Sequence, residues 1–82
     1  MIKKNDVIAQ VQNIIKNQSG ISVNEQDILL DKGIDSISMI NIIIGIESEF
    51  NIEFEPVDLN YKSLRSVDCI SEKIIEQIKK AR

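Results

Sequence analysis

The stretch that most limits what this chain can become runs from Ser36 to Phe50, opened by Gly33-Ile34-Asp35. Met39, Ile42, Ile43, Ile46 and Phe50 recur at i, i+3, i+4 and i+7, the spacing of a helix with one face against a core. Ile37, Ile40 and Ile44 form a second row, rotated away from the first and starting beside Ser36. Local preference is divided. Ile42, Ile43 and Ile44 are β-branched, and Gly45 costs about 1 kcal/mol relative to alanine inside a helix. Read alone, Ile40 to Ile46 would serve as a buried strand. Length and flanks decide for the helix. Strands of fifteen residues are uncommon, and Glu47 and Glu49 lie inside the run. Asp35 offers its carboxylate to the free amides of a first turn, and Gly33 permits the chain reversal before it. A helix apolar over so much of its circumference is either buried all round or offers one stripe to a partner.

Lys3 to Asn17 reads as a first helix. Val7, Val11 and Ile14 lie on one stripe with Ile8 and Ile15 alongside; Lys3, Lys4, Gln10, Asn13 and Lys16 face water, and Gly20 is the stop. The loop from Ile21 to Ile34 has no linker-like composition. Ile21, Val23, Ile28 and Leu29 are its expected anchors, with a single helical turn from Asn24 to Leu30. After the central helix, Ile52 and Phe54 alternate inward, and Pro56 can start a short helical piece over Val57 to Tyr61. Ser66 caps the last helix, with Asp68 in its first turn and Lys79, Lys80 and Arg82 at its positive end. Val67, Ile70, Ile74, Ile75 and Ile78 supply its buried face. The expected fold is all-α: a small bundle of three main helices plus one short helix, forming a single domain over residues 1–82.

Such a chain buries about 60–65 % of its unfolded surface, enough for a modest core without staples. That core must be aliphatic, because aromatics are only 4 % of the residues. Histidine is absent, which removes the commonest general base and metal ligand. No Ser/His/Asp set is possible, and no metal-ligand spacing or phosphate-binding glycine loop appears. Cys69, the lone cysteine, reads as a small core or near-core residue. Glu53, Glu55 and Asp58 read as a solvated surface rather than a catalytic pair. An enzyme working through its own residues is not expected. Net charge is −3 with no basic face, which argues against a nucleic-acid partner. No run is long enough for a membrane span, Met1-Ile2-Lys3-Lys4 lacks the apolar run of a signal peptide, and a single cysteine suits a reducing cytoplasm.

Leu30-Asp31-Lys32-Gly33-Ile34-Asp35-Ser36-Ile37 resembles the phosphopantetheine attachment motif of acyl and peptidyl carrier proteins. Glu47 to Ile52 resembles the end of that family's second helix, and Leu64 to Ile70 the entry to its last, so the similarity covers nearly the whole chain in order. The resemblance implies a carrier of the four-helix type, a free-standing monomer. Ser36 would bear a covalent 4′-phosphopantetheine whose thiol holds acyl or aminoacyl units, and Asp35 would cap the helix and help a phosphopantetheinyl transferase recognise the site. A helix N-terminus suits the phosphate, since its free amides and dipole favour negative charge. Ile37, Ile40 and Asn41 would dock partners, namely the transferase, a loading ligase and downstream transferases or synthases; Ile44 is divided between core and docking surface. One departure matters. Fatty-acid carriers are usually strongly acidic along the second helix, whereas Ser38 and Asn41 stand at its exposed early positions here, so electrostatic steering would be weak. That favours an aminoacyl, nonribosomal-peptide, polyketide or D-alanyl pathway over housekeeping fatty-acid synthesis. The alternative of another class is an unmodified helical adaptor that grips a protein through Ile37, Ile40 and Ile44.

Overall fold

A computed structural model describes residues 3–80. Three α-helices carry it: α1, Lys4–Ser19; α2, Ser36–Phe50; and α3, Val67–Lys80. Short 3₁₀ turns at Leu29–Lys32 and Pro56–Asp58 interrupt the two connections, and there is no strand among the described residues. The all-α architecture is therefore as expected, with the short fourth element reduced to a 3₁₀ turn. Met1, Ile2 and Arg82 lie outside the described residues.

α1 packs against both α2 and α3. Its buried stripe is Val7, Ile8, Val11, Ile14 and Ile15, and it runs two residues beyond the expected end before Gly20 stops it. Gly20 adopts the left-handed conformation (φ 76°) and donates its amide to the Lys16 carbonyl, a closure that costs glycine little. From α2 come Ile42, Ile43 and Ile46, and from α3 Val67, Ile70 and Ile74, all buried; Met39, Phe50, Ile75 and Ile78 pack against this core while partly exposed. Cys69 is half-buried at its edge. At one end, Lys4 Nζ reaches Asp68 Oδ1 at 2.8 Å and Glu72 Oε2 at 3.2 Å, tying α1 to α3. Exposed pairs of this kind add only modestly to stability.

Gly45, unfavourable by propensity, has a packing explanation. A Cβ there would lie 3.2 Å from Ile14 Cγ2, so α1 and α2 approach at a point where a larger side chain would not fit. Ser71 on α3 is fully buried, and its hydroxyl has no partner among the described residues.

The connections differ from expectation in detail. The turn expected over Asn24–Leu30 divides into two. Asp27 accepts the Asn24 amide on Oδ2 and returns its own amide to the Asn24 carbonyl, and the 3₁₀ turn begins only at Leu29. Such side-chain-to-backbone bonds compete with helix. Likewise the piece expected over Val57–Tyr61 is a turn at Pro56–Asp58, and it ends where Asn60 bonds the Val57 carbonyl and the Ser63 amide with its own side chain. Asp58 corrects another expectation. Glu53 and Glu55 are exposed, but Asp58 is buried, paired with Lys73 Nζ at 3.5 Å and accepting from Gln77 Nε2 at 3.1 Å. A buried carboxylate is tolerated because both partners come from α3.

Ile74→Ala should lose about 2–5 kcal/mol in urea denaturation, the range for truncating a buried isoleucine. Gly45→Leu should lose about 1–3 kcal/mol by forcing α1 and α2 apart. Ser71→Ala, which removes an unpartnered buried hydroxyl, should be neutral or stabilising.

Candidate functional site

Ser36 is the first residue of α2, and its side chain is exposed. Two steps bring it there. Gly33, with φ 91°, donates its amide to the Leu29 and Leu30 carbonyls and closes the 3₁₀ turn; the left-handed backbone is one that other residues adopt with strain. Ile34 then turns inward, 2 % exposed, and its amide bonds the Leu29 carbonyl. With Ile34 anchored, Asp35 and Ser36 emerge at the surface.

Asp35 caps α2 as expected: Oδ1 accepts the Ser38 amide at 2.8 Å. That bond, aided by the Ser38 hydroxyl and opposed by desolvation, holds the carboxyl below its ordinary value of 3.8. Asp35 is thus fully ionised near neutral pH. Its carboxylate engages the Ser38 amide, with a lesser contribution from the Ile37 amide, at the positive end of the helix.

Beside Ser36 opens an apolar groove of about 570 Å³. One wall is the α2 stripe Ser36, Ile40, Ile43, Ile44 and Glu47; the other is the segment before α3, including Leu59, Tyr61, Leu64 and Arg65. Backbone bonds fix the second wall at the serine end: Leu29 donates to the Arg65 carbonyl at 2.9 Å, and Asp68 to Glu25 at 3.0 Å. At the far end the Phe54 amide donates to Glu47 Oε2 at 2.9 Å. A linear group joined to Ser36 by a phosphodiester fits these residues: an exposed hydroxyl, a positive helix end for the phosphate, and an apolar trough for the rest.

Of the other residues singled out from the sequence, Ile37 is 73 % exposed, Ile40 59 % and Ile44 58 %. Asn41 is exposed too. Ile44 therefore belongs to the surface and not to the core. Leu30, Val57, Leu59 and Tyr61 are further exposed apolar residues, and inspection of the sequence did not single them out as surface. The one available signal was that Leu59 and Tyr61 stand among Asn60, Lys62 and Ser63, without helical periodicity.

A family model described as the phosphopantetheine attachment site matches residues 9–67. Aminoacyl carrier protein 1 of Bradyrhizobium diazoefficiens is 27 % identical, over 95 % of this chain and 88 % of that protein. The acyl carrier protein of Cyanidium caldarium is 31 % identical over 95 % and 93 %. Among solved structures, a chain of the Bradyrhizobium japonicum glycine:[carrier protein] ligase complexed with glycylated carrier protein superposes with a TM-score of 0.66 at 25 % identity, covering 85 % of this chain and 96 % of that one.

The cap has a pH signature. A carboxyl whose pKa is lower in the folded than in the unfolded chain adds stability above the unfolded value, and loses it as pH falls through the folded one. The stability difference between wild type and Asp35→Ala should therefore be full near pH 7 and shrink as the pH drops below 3.8. Denaturation midpoints across an acid series measure it.

Proposed function

This chain belongs to the family of phosphopantetheine-attachment carrier proteins, and from that premise we propose that Ser36 bears the prosthetic group and that the cargo is an aminoacyl unit. Carrier proteins of this family hold 4′-phosphopantetheine and are not themselves catalysts. When attached, the group supplies a thiol on a long flexible arm, which holds the cargo as a thioester.

The residues of this chain do the rest. Ser36 Oγ takes the phosphodiester bond to phosphorus, losing its proton to a base of the phosphopantetheinyl transferase, while coenzyme A releases its adenosine bisphosphate. The amides at the start of α2 would hold the phosphate. Asp35, ionised and fixed by the Ser38 amide, gives the transferase a charged landmark next to the acceptor oxygen. Ile37, Ile40 and Ile44, with Asn41 beside them, form the surface that successive enzymes grip. Contacts of this sort are small and transient, because one carrier serves several enzymes in turn.

The observation that carries the aminoacyl reading is the mild charge of α2. Its first turns hold no carboxylate after the cap, and its exposed stripe is isoleucine. Two of the relatives support the same reading, aminoacyl carrier proteins 1 and 2 of Bradyrhizobium diazoefficiens, as does the glycylated carrier in the superposed complex. A loading ligase for a small amino acid is the partner that follows.

Incubation with coenzyme A, magnesium and a broad-specificity transferase should add one phosphopantetheinyl group by intact mass, and none to Ser36→Ala. A folded wild type that gains nothing would return the chain to the adaptor reading. Given the holo protein, Ile40→Asp should lower kcat/KM for aminoacylation by a glycine ligase about 10–100-fold, as expected for a central apolar anchor, while circular dichroism stays unchanged.

A further inference from the structure

Ser36, Ile40, Ile43/Ile44 and Glu47 stand at i, i+4, i+7/i+8 and i+11, a straight row along one face of α2. All of them line the groove. Eleven residues at ~1.5 Å of rise separate Ser36 from Glu47 by about 16 Å. Some fourteen bonds join the serine oxygen to the sulfur of the arm, and a further three reach the nitrogen of an aminoacyl unit. At the ~3.5 Å that three extended backbone bonds span, the sulfur reaches roughly 16 Å and the nitrogen roughly 20 Å. An arm lying in the groove with a slight bend therefore brings the cargo's α-ammonium level with Glu47.

Glu47 is suited to receive it. One carboxylate oxygen is occupied by the Phe54 amide at 2.9 Å, which fixes the side chain, and the other has lone pairs to spare. The remaining ionisable groups on the groove are Asp35, Tyr61 and Arg65. Asp35 adjoins the serine, and Arg65 is held at that same end through the Leu29–Arg65 and Ile34–Leu29 backbone bonds. The serine end of the groove thus holds Arg65 beside the Asp35 carboxylate, and the far end holds the Glu47 carboxylate. Between them the wall is mostly apolar; Asn60 and Tyr61 are its other polar side chains, and the Asn60 amide is already engaged by the Val57 carbonyl and the Ser63 amide.

We propose that Glu47 is a specificity-determining residue, whose carboxylate accepts the α-ammonium of an aminoacyl unit when the arm lies in the groove. The inference rests on the aminoacyl reading above and goes beyond it. A neutral acyl unit of the same size would leave that carboxylate oxygen without a charged partner.

The test uses the whole protein carrying an arm whose terminal sulfur is replaced by NH, so that glycine is held as a stable amide, with an acetyl-bearing arm as comparison. Glu47→Gln keeps an oxygen for the Phe54 amide but removes the charge, and Glu49→Gln, on the exposed side of α2, removes an equal charge elsewhere. Titration of the glycyl ammonium by NMR should give a pKa about 0.5–1 unit higher in wild type and Glu49→Gln than in Glu47→Gln. The Phe54 amide resonance should also differ between glycyl- and acetyl-bearing wild type. Equal pKa values in wild type and Glu47→Gln, or an equal drop in both variants, would overturn the proposal while leaving the carrier intact. Failure of the transferase to modify Ser36 would overturn this inference and the proposed function together.

Discussion

The rotation of α2 about its own axis determines everything at the site, and burial of Ile42, Ile43 and Ile46 against the other helices sets that rotation. At about 100° per residue, fixing those three inward leaves Ile37, Ile40 and Ile44 outward and lines Ser36 up with Glu47 on the groove side. The driving force is the removal of aliphatic surface from water, about 1.5–3 kcal/mol for each isoleucine fully buried. Three such residues on two turns outweigh the reluctance of a β-branched run and a mid-helix glycine to be helical. Gly45 then has a structural use: with no Cβ it lets Ile14 of α1 come close, so its propensity cost is offset by a tighter interhelical contact.

An exposed stripe of three isoleucines would be a liability on a protein that met only water. Here Ser38, Asn41 and Ser48 flank it on one side with short polar side chains, and on the other it borders the groove. Such an apolar row gives a partner enough area for recognition without the area of a lasting complex. It also shifts the balance between speed and grip. Without carboxylates along the early turns of α2, long-range attraction contributes little to encounter, and discrimination among partners falls to shape and apolar fit.

Much of this was legible before any coordinates. The bounds of α2, its cap at Asp35, the Gly20 stop, the core stripes of all three helices and the exposure of Ile37 and Ile40 follow from periodicity and capping, which are local in sequence. What escaped were features made by distant partners. Asp58 looks like one more surface carboxylate beside Glu53 and Glu55, and only the approach of Lys73 and Gln77 from α3 explains its burial. The short turns were misplaced by a few residues because the Asp27 and Asn60 side chains bond backbone groups three residues away, at Asn24 and at Val57 and Ser63, and so start or stop the turns locally. Ile44 was divided between core and surface because a 100° step leaves it at the edge of both stripes. The groove itself was invisible, since its second wall is a segment without periodicity.

That second wall is irregular chain, and its stability is borrowed from three fastenings. Leu29 and Glu25 bind it at the α3 entry through backbone bonds, Asp58 fixes its middle to α3, and Glu47 fixes its start through the Phe54 amide. Between these points Leu59, Asn60 and Tyr61 are exposed and carry few buried contacts, the condition under which a segment opens at low free energy. A carrier needs that combination. If cargo lies in the groove as proposed, a wall fastened along its whole length would hinder its release, and one without fastenings would form no groove. Glu47 sits where both requirements meet, because the carboxylate that anchors the wall also lines the trough, within reach of an arm borne, as proposed, by Ser36.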